Sequence, residues 1–160
     1  MGFLKELKKL KKEKKQGHLS TGFVVLDSNF KEVQDWQIAY YDNEKGKMQV
    51  FSLKNKGNVI ECSFFDDKDV FKDPGQSILE VKENKIKFDL EDIQGSVREV
   101  LKKYKQAPAK FIAILQNLHD SQIWNVTVLT TVFTPINIKI STETGKVISD
   151  EVVNFIDKSK

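Results

Sequence analysis

Residues 122–133 read Gln-Ile-Trp-Asn-Val-Thr-Val-Leu-Thr-Thr-Val-Phe. Trp124, Val126, Val128, Thr130 and Val132 occupy every second position, so an extended chain sets them on one face. Most of these residues are β-branched or aromatic, types that pack well on a pleated, half-buried surface. About thirty residues upstream the rhythm changes. Between Asp89 and Tyr104, the positions of Leu90, Ile93, Val97, Val100, Leu101 and Tyr104 form a stripe roughly 100° wide on a helical wheel. Asp89 stands where it can cap the first turn, and Glu91 and Asp92 favour the positive end of the helix dipole. Lys102, Lys103 and Lys105 sit at the other end. Gly95 points away from the stripe and costs about 1 kcal/mol relative to Ala.

Working outward, period-two segments fill most of the chain. Lys110–Leu118 precedes the Trp124 stretch, and Ile136–Ser141 follows it, with Ile136, Ile138 and Ile140 on one face. Glu143-Thr144-Gly145-Lys146 is a hairpin turn leading into Val147-Ile148. Asp150 is expected to cap a short C-terminal helix carrying Val152, Phe155 and Ile156. On the N-terminal side, Thr21–Asp27, Trp36–Tyr41, Lys47–Leu53 and Asn58–Phe65 read as strands joined by turns at 42–46 and 54–57. Ser77–Val81 and Lys85–Phe88 are expected to form a further hairpin around Glu83-Asn84. Neighbouring strands with short links imply antiparallel pairing. The expected fold class is α+β. It comprises a twisted antiparallel sheet, one main packing helix at about 89–105, a basic N-terminal helix and a short C-terminal helix.

The chain has 160 residues, 39% of them hydrophobic and eleven of them Phe, enough for one packed domain. No apolar run approaches the eighteen residues of a bilayer span, and lysines interrupt the N-terminus too often for a secretion signal. The expected location is the cytoplasm, with peripheral membrane association as the alternative. Residues 1–16 hold seven Lys and two Glu, whereas residues 17–160 are net −2. The positive field is therefore concentrated in one arm. Phe3, Leu4, Leu7 and Leu10 make a narrow apolar stripe there, flanked by Lys8, Lys9 and Lys12. This stripe has three readings: a solvated tail, docking on its own domain or a partner, or lying on an anionic membrane. The domain boundary is placed at Gln16-Gly17, giving a basic segment 1–16 and a single α+β domain 17–160.

Chemistry-bearing constellations are sparse. His18, His119 and Cys62 are scattered, without zinc-ligand spacing. Asp66, Asp67, Asp69 and Asp73 fail the calcium-loop register and read as a solvated acidic loop. Cys62 alternates with Ile60 and Phe64 and reads as a small core residue rather than a nucleophile. No phosphate-binding glycine loop or nucleophile elbow occurs. No cofactor, metal or catalytic residue is expected. The aromatics Trp36, Tyr40, Tyr41, Phe51, Phe64 and Phe65 could serve as base-stacking platforms, but the body of the chain is slightly acidic, which argues against nucleic acid. Enzyme chemistry, by elimination, would fall to carboxylates that sequence alone does not pair.

Helix Ile93–Tyr104, strand Phe111–Leu118, the Trp124-Asn125-Val126-Thr127 strand, and Ile138–Ser141 followed by Thr144-Gly145-Lys146-Val147-Ile148 together resemble a PepSY-type domain, over about residues 90–148. Trp36–Tyr41 echoes the Trp-led strand, so residues 17–88 and 89–160 read as two diverged halves. The resemblance implies a non-catalytic module that binds or regulates a protein or peptide partner, a family role tied to peptidase modulation. It marks Trp124 and Gly145 as structural residues. The alternative is a peripheral membrane- or nucleic-acid-associated protein acting through the lysine arm, and an enzyme with a carboxylate site is the third reading.

Overall fold

The period-two segments form eight strands in a computed structural model that describes residues 2–55, 57–66 and 78–153. In chain order they are β1 (His18–Asp27), β2 (Gln37–Asp42), β3 (Lys47–Lys54), β4 (Val59–Asp66), β5 (Pro108–Asn117), β6 (Gln122–Thr130), β7 (Pro135–Ser141) and β8 (Val147–Val152). They make one sheet in the order β4-β3-β2-β1-β5-β6-β7-β8, antiparallel throughout. Two four-stranded meanders thus meet along β1 and β5, with Val24 opposite Ala113. A helix precedes each meander: α1 (Phe3–Lys8) before β1 and α2 (Gln94–Tyr104) before β5.

Both helices cover the same face of the sheet. Phe3, Leu7 and Leu10 join Ile93, Val97 and Leu101 over strand residues such as Ile38, Phe51, Phe111 and Val126, forming one continuous core. Gly22 makes room for this layer. A Cβ there would meet the Phe3 ring at 2.4 Å, so only glycine lets the helix settle so low. Asp89 closes the ends of the helical layer. Its carboxylate accepts from Leu90 N at 2.6 Å in a capping box with Asp92, and also from Phe3 N at 2.8 Å and Leu4 N at 3.0 Å. One buried carboxylate therefore satisfies orphan donors at two helix starts.

Three expectations are corrected. The protein is predominantly β rather than α+β: α1 has 6 residues and α2 has 11. The main helix also begins as a 3₁₀ turn at Leu90–Ile93 and ends at Lys105 with a left-handed φ of 55°. The expected C-terminal helix is absent from 147–152, which instead pair with β7 as β8; Phe155 and Ile156 lie outside the described residues. Asp150 accepts hydrogen bonds from Tyr104 and Lys103 of α2 instead of capping a helix. The hairpin expected at 77–88 is likewise replaced. Residues 83–85 form a 3₁₀ turn, and the connection is tied to the sheet by side chains. Gln122 bonds both Lys82 N and Lys82 O, and Thr142 Oγ1 donates to Lys85 O. Its apolar residues Val81 and Ile86 pack into the core from either side of the exposed turn at 82–85.

Candidate binding cleft

The connection between β1 and β2 runs from 28 to 36, and its conformation follows from one aspartate. Asp27 Oδ1 accepts from Asn29 N at 2.8 Å and Lys31 N at 3.0 Å, while Asp27 O accepts from Phe30 N. This turn forces Phe30 to a left-handed φ of 64°. Such a conformation costs a non-glycine residue of order 1–3 kcal/mol. Burial of the Phe30 ring against Phe111, with centroids 5.0 Å apart and the rings near perpendicular, offsets it. Farther along, Val33 N donates to Val25 O, and Trp36 Nε1 donates to Glu32 Oε1 at 2.9 Å. The loop is therefore held at both ends while Lys31, Glu32, Val33, Gln34 and Asp35 stand exposed between them.

Opposite this loop lies α1, and between them opens a cleft of about 790 Å³. Lys5, Glu6 and Lys9 form one wall, residues 29–36 the other, with Leu53, Asn55 and Gln94 closing the ends. At its base Trp36 belongs to an aromatic trio with Phe3 and Trp124, with centroids 5.7–6.3 Å apart. The buried Glu6 carboxylate is held by Lys9 Nζ at 2.9 and 3.1 Å. The mouth thus presents Lys5 on the α1 wall, and Lys31, Glu32 and Asp35 on the loop wall. Among the described residues, the wall contains no histidine, cysteine, serine or threonine. It can form ion pairs and hydrogen bonds with a bound chain.

The residues singled out from sequence are dispersed. Phe3, Leu7 and Leu10 are buried in the core, and Leu4 packs partly against it. The apolar stripe is consumed by the protein's own sheet. Lys8 and Lys12 are exposed, and Lys9 lies on the cleft wall. Trp124 and Gly145 grip the same residue from two sides. Trp124 Nε1 donates to Phe88 O at 3.0 Å, and a Cβ on Gly145, at φ 72°, would meet the Phe88 ring at 2.7 Å. Cys62 is exposed on β4, not a core residue, and accepts from Gln49 Nε2 at 3.4 Å. His18 lies beside Ile78 O and Tyr41, and His119 is in the β5–β6 turn. Among the described residues no three His, Cys, Asp or Glu side chains gather as metal ligands. Of the acidic stretch, Asp67, Asp69 and Asp73 lie outside the described residues. No helix among the described residues is long and apolar enough to cross a membrane.

Several groups away from the cleft have displaced acidities, Tyr40 and Asp150 among them. Burial, with Glu83 nearby, pushes Tyr40 up to about 12. Hydrogen bonds from Lys103 and Tyr104 hold Asp150 below the ordinary carboxylate value. The cleft itself was not foreseen. Asp27-Ser28-Asn29 signals a turn, but nothing local says that α1 stands across from it.

No family model matches the chain, and no curated protein matches it. Among solved structures, it is similar to a "putative lipoprotein" from Clostridium difficile 630, with a TM-score of 0.60 and 12% identity. The match covers 96% of this chain and 93% of the other, so it spans both meanders and both helices. At that identity the likeness is one of fold.

Proposed function

We propose that the protein is a non-catalytic, PepSY-like binding module of the cytoplasm, and that the cleft between α1 and the β1–β2 loop takes an extended peptide segment bearing charged side chains. The observation that carries this reading is the cleft's construction. Its walls are set by buried anchors, Phe30 and Trp36 on one side and Phe3 on the other, while charged groups of both signs line the mouth. A preformed concavity with a few polar groups is the form of most recognition sites. The order of helix, strand, Trp-bearing strand, strand and hairpin in residues 90–148 supports the resemblance to PepSY domains, and that resemblance implies regulation through binding.

Peptides selected from a random displayed library test this directly. Their affinities are measured against the native chain, Lys5→Glu, Asp35→Lys, and Lys146→Glu on the distant β7–β8 turn. Weakening of about tenfold in the two cleft variants, with Lys146→Glu unaffected, is expected from the loss of one partly buried ion pair. Equal binding by all four proteins overturns the cleft as the recognition site.

A second reading rests on the exposed Lys8, Lys11, Lys12 and Lys14. Because Phe3, Leu7 and Leu10 are buried, such contact with an anionic bilayer would be electrostatic, about 1 kcal/mol per nearby lysine, without insertion. Vesicle flotation with 30% anionic lipid would then be lost at high salt; flotation that persists in ~1 M salt excludes the electrostatic mode.

A further inference from the structure

The two edges of the sheet are built differently. At one end, β8 meets β7 through a register shift at Lys139/Ile140 and carries Asp150 and Glu151. Bulges and charges are ordinary means of discouraging edge-to-edge pairing. At the other end, β4 also carries two acidic residues, Glu61 and Asp66, but it runs eight residues in unbroken register with β3, without bulge, lysine or proline. Every residue of β4 except Ile60 is exposed, including Val59 (48%), Phe64 (53%) and Phe65 (46%). Among the described residues this edge is unpaired, and an open, bulge-free edge with exposed apolar side chains is a template for another strand.

We propose that β4 pairs antiparallel with β4 of a second copy of this chain, joining two sheets across a twofold axis. Such an axis, perpendicular to the sheet, sets one residue opposite itself and pairs residues of like parity, so the register is restricted to a few choices. Centred on Glu61, it opposes two carboxylates. Centred on Ser63, it sets Glu61 against Phe65 and Ile60 against Asp66. Centred on Cys62, it sets Ile60 opposite Phe64 on the helical face, Val59 opposite Phe65 on the open face, and Glu61 opposite Ser63. That register alone matches aromatic to β-branched residues on both faces and places no charge against an apolar side chain or a like charge. Glu61 already has Lys54 at 2.9 Å within its own chain, so it enters the seam neutralised. The occupant is therefore argued from the strand's own self-complementarity.

Sedimentation velocity on the full chain across concentrations, under reducing conditions, gives the test. The native chain should self-associate, and Phe64→Lys should abolish this with an unchanged melting temperature. The register is read at residue 63. Ser63→Lys places a cation opposite Glu61 of the other copy twice per dimer and should tighten association about two- to tenfold, whereas Ser63→Asp should weaken it by a similar factor. Adding Glu61→Lys to Ser63→Asp should restore it. Because the single Cys62 falls on the axis, a short bismaleimide should link native dimers and fail with Phe64→Lys. A chain that stays monomeric to about 1 mM overturns the proposal. So does a dimer indifferent to both substitutions at 63, or β4 pairing only with a strand of another protein.

Discussion

The two halves of the sheet use the same series of elements, a helix followed by a four-stranded meander, yet they are closed in different ways. The second half is secured by its own residues. Asp89 and Asp92 cap its own helix, Trp124 and Gly145 hold Phe88, and Lys103 and Tyr104 of α2 reach Asp150 on β8. The first half has a helix of 6 residues, too short to persist alone. It is fastened from outside, by the Asp89 carboxylate and by packing of Phe3 and Trp36 against Trp124. The linkers differ too. Residues 118–121 join β5 to β6, whereas residues 28–36 join β1 to β2, and the cleft exists because that longer loop stands away from α1. Shared topology does not impose shared closure, and the recognition surface arises in the half that is closed less tightly.

The comparison is broken most severely at the point where the halves meet. Trp124→Ala should cost about 3–5 kcal/mol in denaturant melts, because the ring is fully buried and its indole N–H holds Phe88 O. Trp36→Ala should fall at the lower end of that range, because the adjacent cleft lets water reach part of the cavity. Next is Asp89→Ala, expected to cost about 2–3 kcal/mol as two helix starts lose one acceptor. Amide hydrogen exchange should then accelerate at Phe3 and Leu4 as well as at Leu90. Acceleration at Leu90 alone would mean that α1 is held by its side chains only.

The glycines sharpen the contrast by sign. Gly145→Ala should destabilise by about 1–3 kcal/mol, from a left-handed backbone and a Cβ pressed on Phe88. Gly95→Ala should stabilise by about 0.5–1 kcal/mol, since nothing lies within 4 Å and the site is inside α2. The smallest effect belongs to Asp150. Its acidity is raised in the folded state, so its stabilising contribution is complete above the unfolded value of 3.8 and is lost as pH falls below it. Thermal melts of Asp150→Asn should be slightly lower than native at neutral pH and converge with it in acid; a gap that is constant with pH would rule the linkage out.

How much of this was legible in the chain depended on how far apart the cooperating residues are. Strands with local turns, such as β2 to β3 around Gly46 and β7 to β8 around Gly145, announce themselves through alternation and turn chemistry. Asp89 was readable as a cap for its own helix, but its second duty depends on a contact 86 residues away. The two apolar segments flanking Glu83-Asn84 suggest a hairpin that does not form, because Gln122 and Thr142 side chains tie this connection to the sheet. At the C-terminus, Asp150 before Val152-Val153 satisfies a helix start and a strand equally, and only pairing with β7 decides it. Cys62 read as core because Ile60 and Phe64 alternate around it, yet alternation cannot tell a central strand from an edge. The cleft had no local signature because one wall is α1 and the other a loop more than twenty residues later.

The seam between β1 and β5 also bears on how the chain is made. Val24 waits for Ala113, so the ribosome completes the whole first meander well before the strand that will flank it exists. At ~5–20 residues per second, that interval lasts about 4–18 s. Once β4 is complete at Asp66, and until β5 emerges, β1 is a naked border and β4 another, leaving a nascent four-stranded ribbon open on both sides. Any factor that shields emerging polypeptides should be needed most in that window, and slowing translation between residues 30 and 110 should lower the yield of native protein more than slowing it later.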